Sequence, residues 1–77
     1  MVSLKPIRYT VHAETVIRER GLSKMWIELA VRSPSWVEAD RSQPDVERRF
    51  RTVEEREGRV LRVAVVETPE EIRIVSA

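Results

Sequence analysis

Val46-Glu47-Arg48-Arg49-Phe50-Arg51-Thr52-Val53-Glu54-Glu55-Arg56-Glu57-Gly58-Arg59-Val60-Leu61-Arg62-Val63-Ala64-Val65-Val66-Glu67 is the stretch on which the fold turns. Its β-branched and apolar residues recur with a period of two on either side of Glu57-Gly58. A glycine there supplies the positive φ that a tight hairpin needs, so Val46 to Glu55 and Val60 to Glu67 are expected as paired strands. A two-residue turn at Glu57-Gly58 sets Arg56 opposite Arg59. Counting back places Glu54 opposite Leu61, Thr52 opposite Val63 and Phe50 opposite Val65.

Working outward, Thr68-Pro69-Glu70-Glu71 reads as the next turn and Ile72 to Ser76 as a further strand that sets Ile74 against Val65. Upstream, Trp36-Val37-Glu38-Ala39 is a short strand followed by the polar loop Asp40 to Asp45. Two helices precede it. The first runs from Val11 to Arg20, with the Thr10 hydroxyl expected to accept from the Ala13 N–H and with Gly21 as its left-handed end. The second runs from Lys24 to Arg32 behind Ser23 as N-cap, with Met25, Trp26, Leu29 and Ala30 as its apolar stripe, and stops because Ser33 precedes Pro34. Leu4 to Tyr9, with Pro6 near its start, reads as an edge strand. The order is β-α-α-β-β-β(-β), an α+β class with two helices packed on one face of an antiparallel sheet.

That register divides the side chains between two faces. Phe50, Leu61, Val63, Val65, Ile72 and Ile74 point together and form the expected core beneath the helices. The other face carries Arg49, Arg51, Arg62 and Arg73 around Val53, Ala64, Val66 and Val75. Like charges this close repel unless something offsets them, so the four arginines are candidate phosphate or carboxylate ligands. The alternative is a solvated face on which they pair with Glu47, Glu55 and the Glu70-Glu71 turn. A bulge or a different turn would move half of the set to the other side.

At 77 residues the chain holds one domain, 1–77, and its 42% hydrophobic content in periodic runs argues against disorder despite 35% charge. The absence of cysteine excludes disulfides and thiolate zinc sites, and a single histidine excludes histidine-rich metal cages, so no metal or other cofactor is expected. No apolar run approaches the length of a membrane span, which sets the expectation of a soluble, cytoplasmic protein with no membrane partner. Twelve of the 14 basic residues are Arg, a bias suited to bidentate recognition of phosphate, or simply to an arginine-rich proteome. His12 is the one side chain of a type that titrates near neutral pH, and it is a candidate acid or base if it is not a structural residue packed against the sheet. Trp26 and Trp36 are aromatic enough to stack bases, or else belong to the core and its rim. With so small a core and two strand edges to protect, association with a second copy or with a partner chain is expected.

Tyr9-Thr10-Val11-His12-Ala13, Arg18-Glu19-Arg20-Gly21-Leu22-Ser23, Pro34 and Gly58-Arg59-Val60-Leu61-Arg62-Val63, in that order, resemble the bacterial domain-of-unknown-function (DUF) family 4258. Asp45-Val46-Glu47-Arg48-Arg49-Phe50 and Ile72-Arg73-Ile74-Val75-Ser76-Ala77 are in addition similar to the BrnT toxins of the RelE-like superfamily. The resemblance implies a RelE-like fold and, from the more distant relatives, metal-independent RNA cleavage held in check by an antitoxin-like protein. Carried onto matching positions, it implies His12, Arg62 and Arg73 as catalytic and Arg49 as RNA-binding, and the hairpin register alone adds Arg51 to the RNA-binding set. The competing expectation is a non-catalytic module that binds a protein partner or nucleic acid on the same face. Both groups normally continue past the last strand with residues that include an arginine. A continuation beyond Ala77 is expected to pass near Arg51 and Arg62.

Overall fold

Residues 5–54 and 57–77 are described by the structure, a computed structural model. Along them run β1 (Ile7–Tyr9), α1 (Val11–Arg20), α2 (Lys24–Arg32), β2 (Trp36–Ala39), β3 (Glu47–Val53), β4 (Arg59–Glu67) and β5 (Ile72–Ser76). Leu4, Glu55 and Arg56, which the expected first strand and hairpin included, lie outside the described residues. No helix among the described residues is long and apolar enough to cross a membrane.

Local signals set the helix ends. The Thr10 hydroxyl accepts from the Ala13 N–H at 3.1 Å, and Gly21 at φ 63° closes α1 as the Gly21 and Leu22 N–H groups donate back to Arg18 and Ile17. Ser23 starts α2 without a side-chain capping bond.

The strands form one sheet in the order β1-β5-β4-β3-β2. β1 runs parallel to β5, with Ile7 opposite Ile72 and Tyr9 opposite Ile74, so the sheet is mixed and not antiparallel throughout. Tyr9 leads into Thr10, whose N–H donates to the Ile74 carbonyl at 3.1 Å, and the chain then leaves through α1 and α2. Those helices begin the long connection that parallel neighbours require.

The decisive departure from expectation is in the β3–β4 hairpin. Val53 stands opposite Arg59, the place expected for Arg56, and the pairing continues through Arg51 and Leu61 to Arg49 and Val63. Residues 54–58 form a five-residue connection, not a two-residue turn. The Gly58 N–H donates to the Val53 carbonyl and the Glu57 N–H to the Glu54 carbonyl, both at 3.1 Å. That pair of bonds is the Schellman pattern of a helix end, with Glu57 in the left-handed position at φ 60°. The register therefore slips by three residues, an odd number, and every β3 side chain changes face.

Val63, Val65, Ile72 and Ile74 lie in the core as expected, and Leu61 packs at its margin. Phe50 leaves the expected core, and Val53 enters the helix-covered side in its place. On α2 the buried residues are Ile27, Ala30 and Val31, whereas Met25 is 70% exposed and Leu29 41%. Two apolar stripes at helical spacing compete on this helix, and the β-branched one faces the sheet. Fully buried Ile27, Ile74, Val31, Val63 and Val65 anchor the layer, each contributing about 1.5–3 kcal/mol by removal from water.

Candidate nucleic-acid interface

The register slip carries Arg49 and Arg51 to the helix side, away from Arg62 and Arg73. There they complete the end of α2. Arg49 Nη1 donates to the Val31 carbonyl at 2.8 Å and Arg51 Nη1 to the Ser33 carbonyl at 2.6 Å, supplying partners for carbonyls that a helix terminus leaves unmatched. Arg49 also donates through Nε to Glu47 at 2.8 Å and through Nη2 to Glu67. Its side chain is only 11% exposed. Burial opposes its charge, but the hydrogen bonds it donates to Glu67 and Glu47 outweigh that penalty and hold the guanidinium more firmly protonated than usual. Lys5 closes the network by donating to Glu67 at 2.6 Å, and Lys5 and Arg49 together hold the Glu67 carboxyl below its usual range.

The open face is built from other residues. Trp36, Phe50 and Arg62 form one row across β2, β3 and β4, and Glu38, Arg48 and Ala64 form the next. The Trp36 and Phe50 rings stack with centroids 4.8 Å apart and planes within 3°. The Trp36 indole donates to Glu38 at 3.0 Å, which leaves the ring 41% exposed but fixed in direction. Towards β1, Val66, Arg73 and Arg8 make a third row, in which Glu71 accepts from both arginines. A bulge between Ala64 and Val65 re-aims the end of β5, so Ser76 stands opposite Ala64 although Ile74 stands opposite Val65.

Charge on this face is unevenly compensated. Arg48 is held by Asp40, which accepts from its Nε at 3.2 Å and its Nη2 at 3.0 Å. The Asp40 carboxyl is pulled down to about 2, first by the Ser42 N–H, then by the Ser42 hydroxyl and Arg48. Arg62 is exposed and has neither a hydrogen bond nor an ion pair among the described residues. Arg20, at the last turn of α1, reaches over to the Ala77 main-chain oxygen at 3.1 Å and has no side-chain carboxylate partner among the described residues. Arg20, Arg48 and Arg62 line a 200 Å³ hollow beside Ala64 and Ser76.

The sequence-expected site is thus dispersed. His12 is exposed in the first turn of α1, eight residues and about 12 Å along the helix from Arg20. It makes no hydrogen bond among the described residues. Arg73 is engaged by Glu71, Arg49 and Arg51 tie the end of α2, and Arg62 alone of the five faces an uncompensated surface. Sequence reasoning missed Arg20 and, by assigning Phe50 to the core, missed the partner on which Trp36, named as a possible base-stacking aromatic, is stacked. The position of Arg20 just before the terminating Gly21 was a usable signal, because a side chain in a last turn can reach beyond the helix end. Tyr9 donates to Glu28 at 3.1 Å beneath the Lys24 ammonium, and burial with that carboxylate pushes its phenol well above the usual range. Among the described residues no group of three His, Cys, Asp or Glu could hold a metal ion.

The model of a domain of unknown function, DUF4258, matches residues 9–77. No curated protein and no solved structure matches the chain.

Proposed function

Because the chain belongs to the DUF4258 family, whose description assigns no activity, we propose its function from the side chains themselves: a module that binds single-stranded RNA on the open sheet face without cleaving it. The observation that carries this reading is Arg62, a cation with no partner among the described residues, in cross-strand register with the stacked Phe50 and Trp36. A flat aromatic pair beside an uncompensated guanidinium suits a base and its phosphate, since stacking contributes about 1–3 kcal/mol per base without regard to sequence. From the Val66 row to the Arg62 row is four residues of β4, or about 13 Å, room for a second phosphate near Arg8 and Arg73. RNA is proposed over DNA on the sequence resemblance of residues 45–50 and 72–77 to BrnT toxins alone, and an antitoxin-like protein or a second copy as further partner belongs to the same proposal.

Binding is preferred to cleavage on placement. Cleavage by 2′-hydroxyl attack needs an acid or base and cations at one phosphate, whereas His12, Arg62 and Arg73 sit at three separate places. Fluorescence anisotropy with labelled oligouridylate, alongside gel analysis of the RNA, tests the reading. Trp36→Ala and Arg62→Gln are expected to weaken binding in folded protein while the RNA stays intact. Strand scission that disappears in His12→Ala would establish the ribonuclease instead, and tight binding indifferent to both substitutions would remove the open face as the site.

A further inference from the structure

A second and larger hollow adjoins the open face. It opens between the α1–α2 corner and the root of the β3–β4 hairpin, with a volume of about 420 Å³. Arg20 and Arg62 line it as they line the smaller hollow, so the two spaces meet at these side chains. Arg59 adds a third guanidinium, exposed and without an ion pair or hydrogen bond among the described residues. The rest of the wall is largely apolar, with Leu22, Val60 and Leu61 prominent.

Three features restrict what fits. Arg59 and Arg62 have no hydrogen bond or ion pair among the described residues and Arg20 uses one donor on the Ala77 main-chain oxygen, so the free donors of the three call for an anion and their forks match phosphate oxygens. The volume lies within the range of about 300–1,000 Å³ typical of small-molecule sites and is far more than a bare phosphate fills. The apolar wall would stay wet beside a simple anion, so the ligand must also present a flat or nonpolar part. A nucleotide combines a phosphate with a base that has an apolar face.

Resting on the strand-binding reading above, we propose that this cleft takes one nucleotide of the bound strand, unstacked from its neighbours, with its phosphate on Arg20, Arg59 and Arg62 and its base against the apolar wall. The strand then passes from the Trp36–Phe50 platform over Arg62 and delivers a single unit into the cleft. Unstacking is affordable for a single strand because no base pair is broken.

Titration of the 77-residue protein with uridine 5′-monophosphate, uridine and inorganic phosphate at low salt, followed by amide NMR shifts, tests this directly. The monophosphate is expected to bind about tenfold or more tightly than either fragment, with shifts at Leu22, Val60 and Leu61. Arg59→Gln should weaken it, Val60→Glu should abolish it by placing a carboxylate at the mouth, and Arg41→Gln, exposed in the loop after β2, should leave it unchanged. Both cleft substitutions are at exposed positions, so a folded spectrum accompanies each reading. Equal binding of phosphate and monophosphate would overturn the proposal in favour of a simple anion site. Oligouridylate binding with no mononucleotide binding, unaffected by Arg59→Gln, would overturn the cleft and leave the strand path standing. Mononucleotide binding without oligonucleotide binding would uphold the cleft and overturn the strand path.

Discussion

Arg49 stands opposite Val63 across β3 and β4, and its guanidinium consequently bridges the Val31 carbonyl at the end of α2 to the carboxylates of Glu47 and Glu67. A nearly buried charge is tolerable here because each face of the fork has an acceptor. Removing it leaves two carboxylates and a helix-end carbonyl without their donor. Arg49→Gln is expected to destabilise the fold by about 2–3 kcal/mol in urea unfolding, with strand binding by the remaining folded protein unchanged. A loss of binding without loss of stability would return Arg49 to the interface.

Glu57 occupies the left-handed region at φ 60°, where a side chain costs about 1 kcal/mol and glycine nothing. Glu57→Gly is expected to raise stability by about 0.5–1 kcal/mol, less whatever the freer unfolded chain takes back. Thermal unfolding measures it. A clear loss would mean that the five-residue connection is not the conformation in solution.

This connection also explains what the chain alone disclosed and what it withheld. Helix limits at Val11, Arg20, Lys24 and Arg32 were legible because Thr10, Gly21 and the Ser33-Pro34 pair act within a turn of the residues they govern. Val63, Val65, Ile72 and Ile74 were legible as core because the Thr68–Glu71 turn set their register correctly. β3 was not. Its Arg48 to Val53 run alternates equally well in either phase, and only the loop conformation, with Glu57 taking the position expected of a glycine, chooses between them. One wrong turn moved Arg49 and Arg51 off the open face and put Phe50 on it. The parallel β1–β5 pairing was likewise hidden, since strand direction depends on where α1 and α2 return the chain.

Acid should unfold the protein through two carboxylates whose folded values lie below their unfolded ones. Lys5 and Arg49 lower Glu67 from an ordinary 4.5, and Ser42 with Arg48 lowers Asp40 from 3.8 to about 2. Each contributes stability at neutral pH, where both states are ionised and the folded one is favoured. That contribution fades as the unfolded chain takes up protons first, over roughly pH 4.5 to 2. The melting temperature is expected to drop across this window, with Glu67→Gln flattening its upper part and Asp40→Asn its lower part. An acid limb unaltered by both substitutions would place the titrating groups elsewhere.

Arg62 and Arg73 were expected to act alike and are held differently. Arg73 donates to Glu71 at 3.1 Å through Nε and lies 3.0 Å from it through Nη2, with Arg8 on the same carboxylate, so much of its charge is already answered within the fold. Arg62 has no such partner among the described residues, and a phosphate docking beside it releases a counterion without breaking an internal bond. Oligouridylate affinity measured over a series of salt concentrations separates the two. Arg62→Gln is expected to reduce the slope of log affinity against log salt by about 1, and Arg73→Gln by distinctly less. Equal reductions would show that Glu71 yields Arg73 to the strand and that the interface extends across β5 to β1. A larger effect at Arg73 would move the centre of the interface away from the Trp36–Phe50 stack.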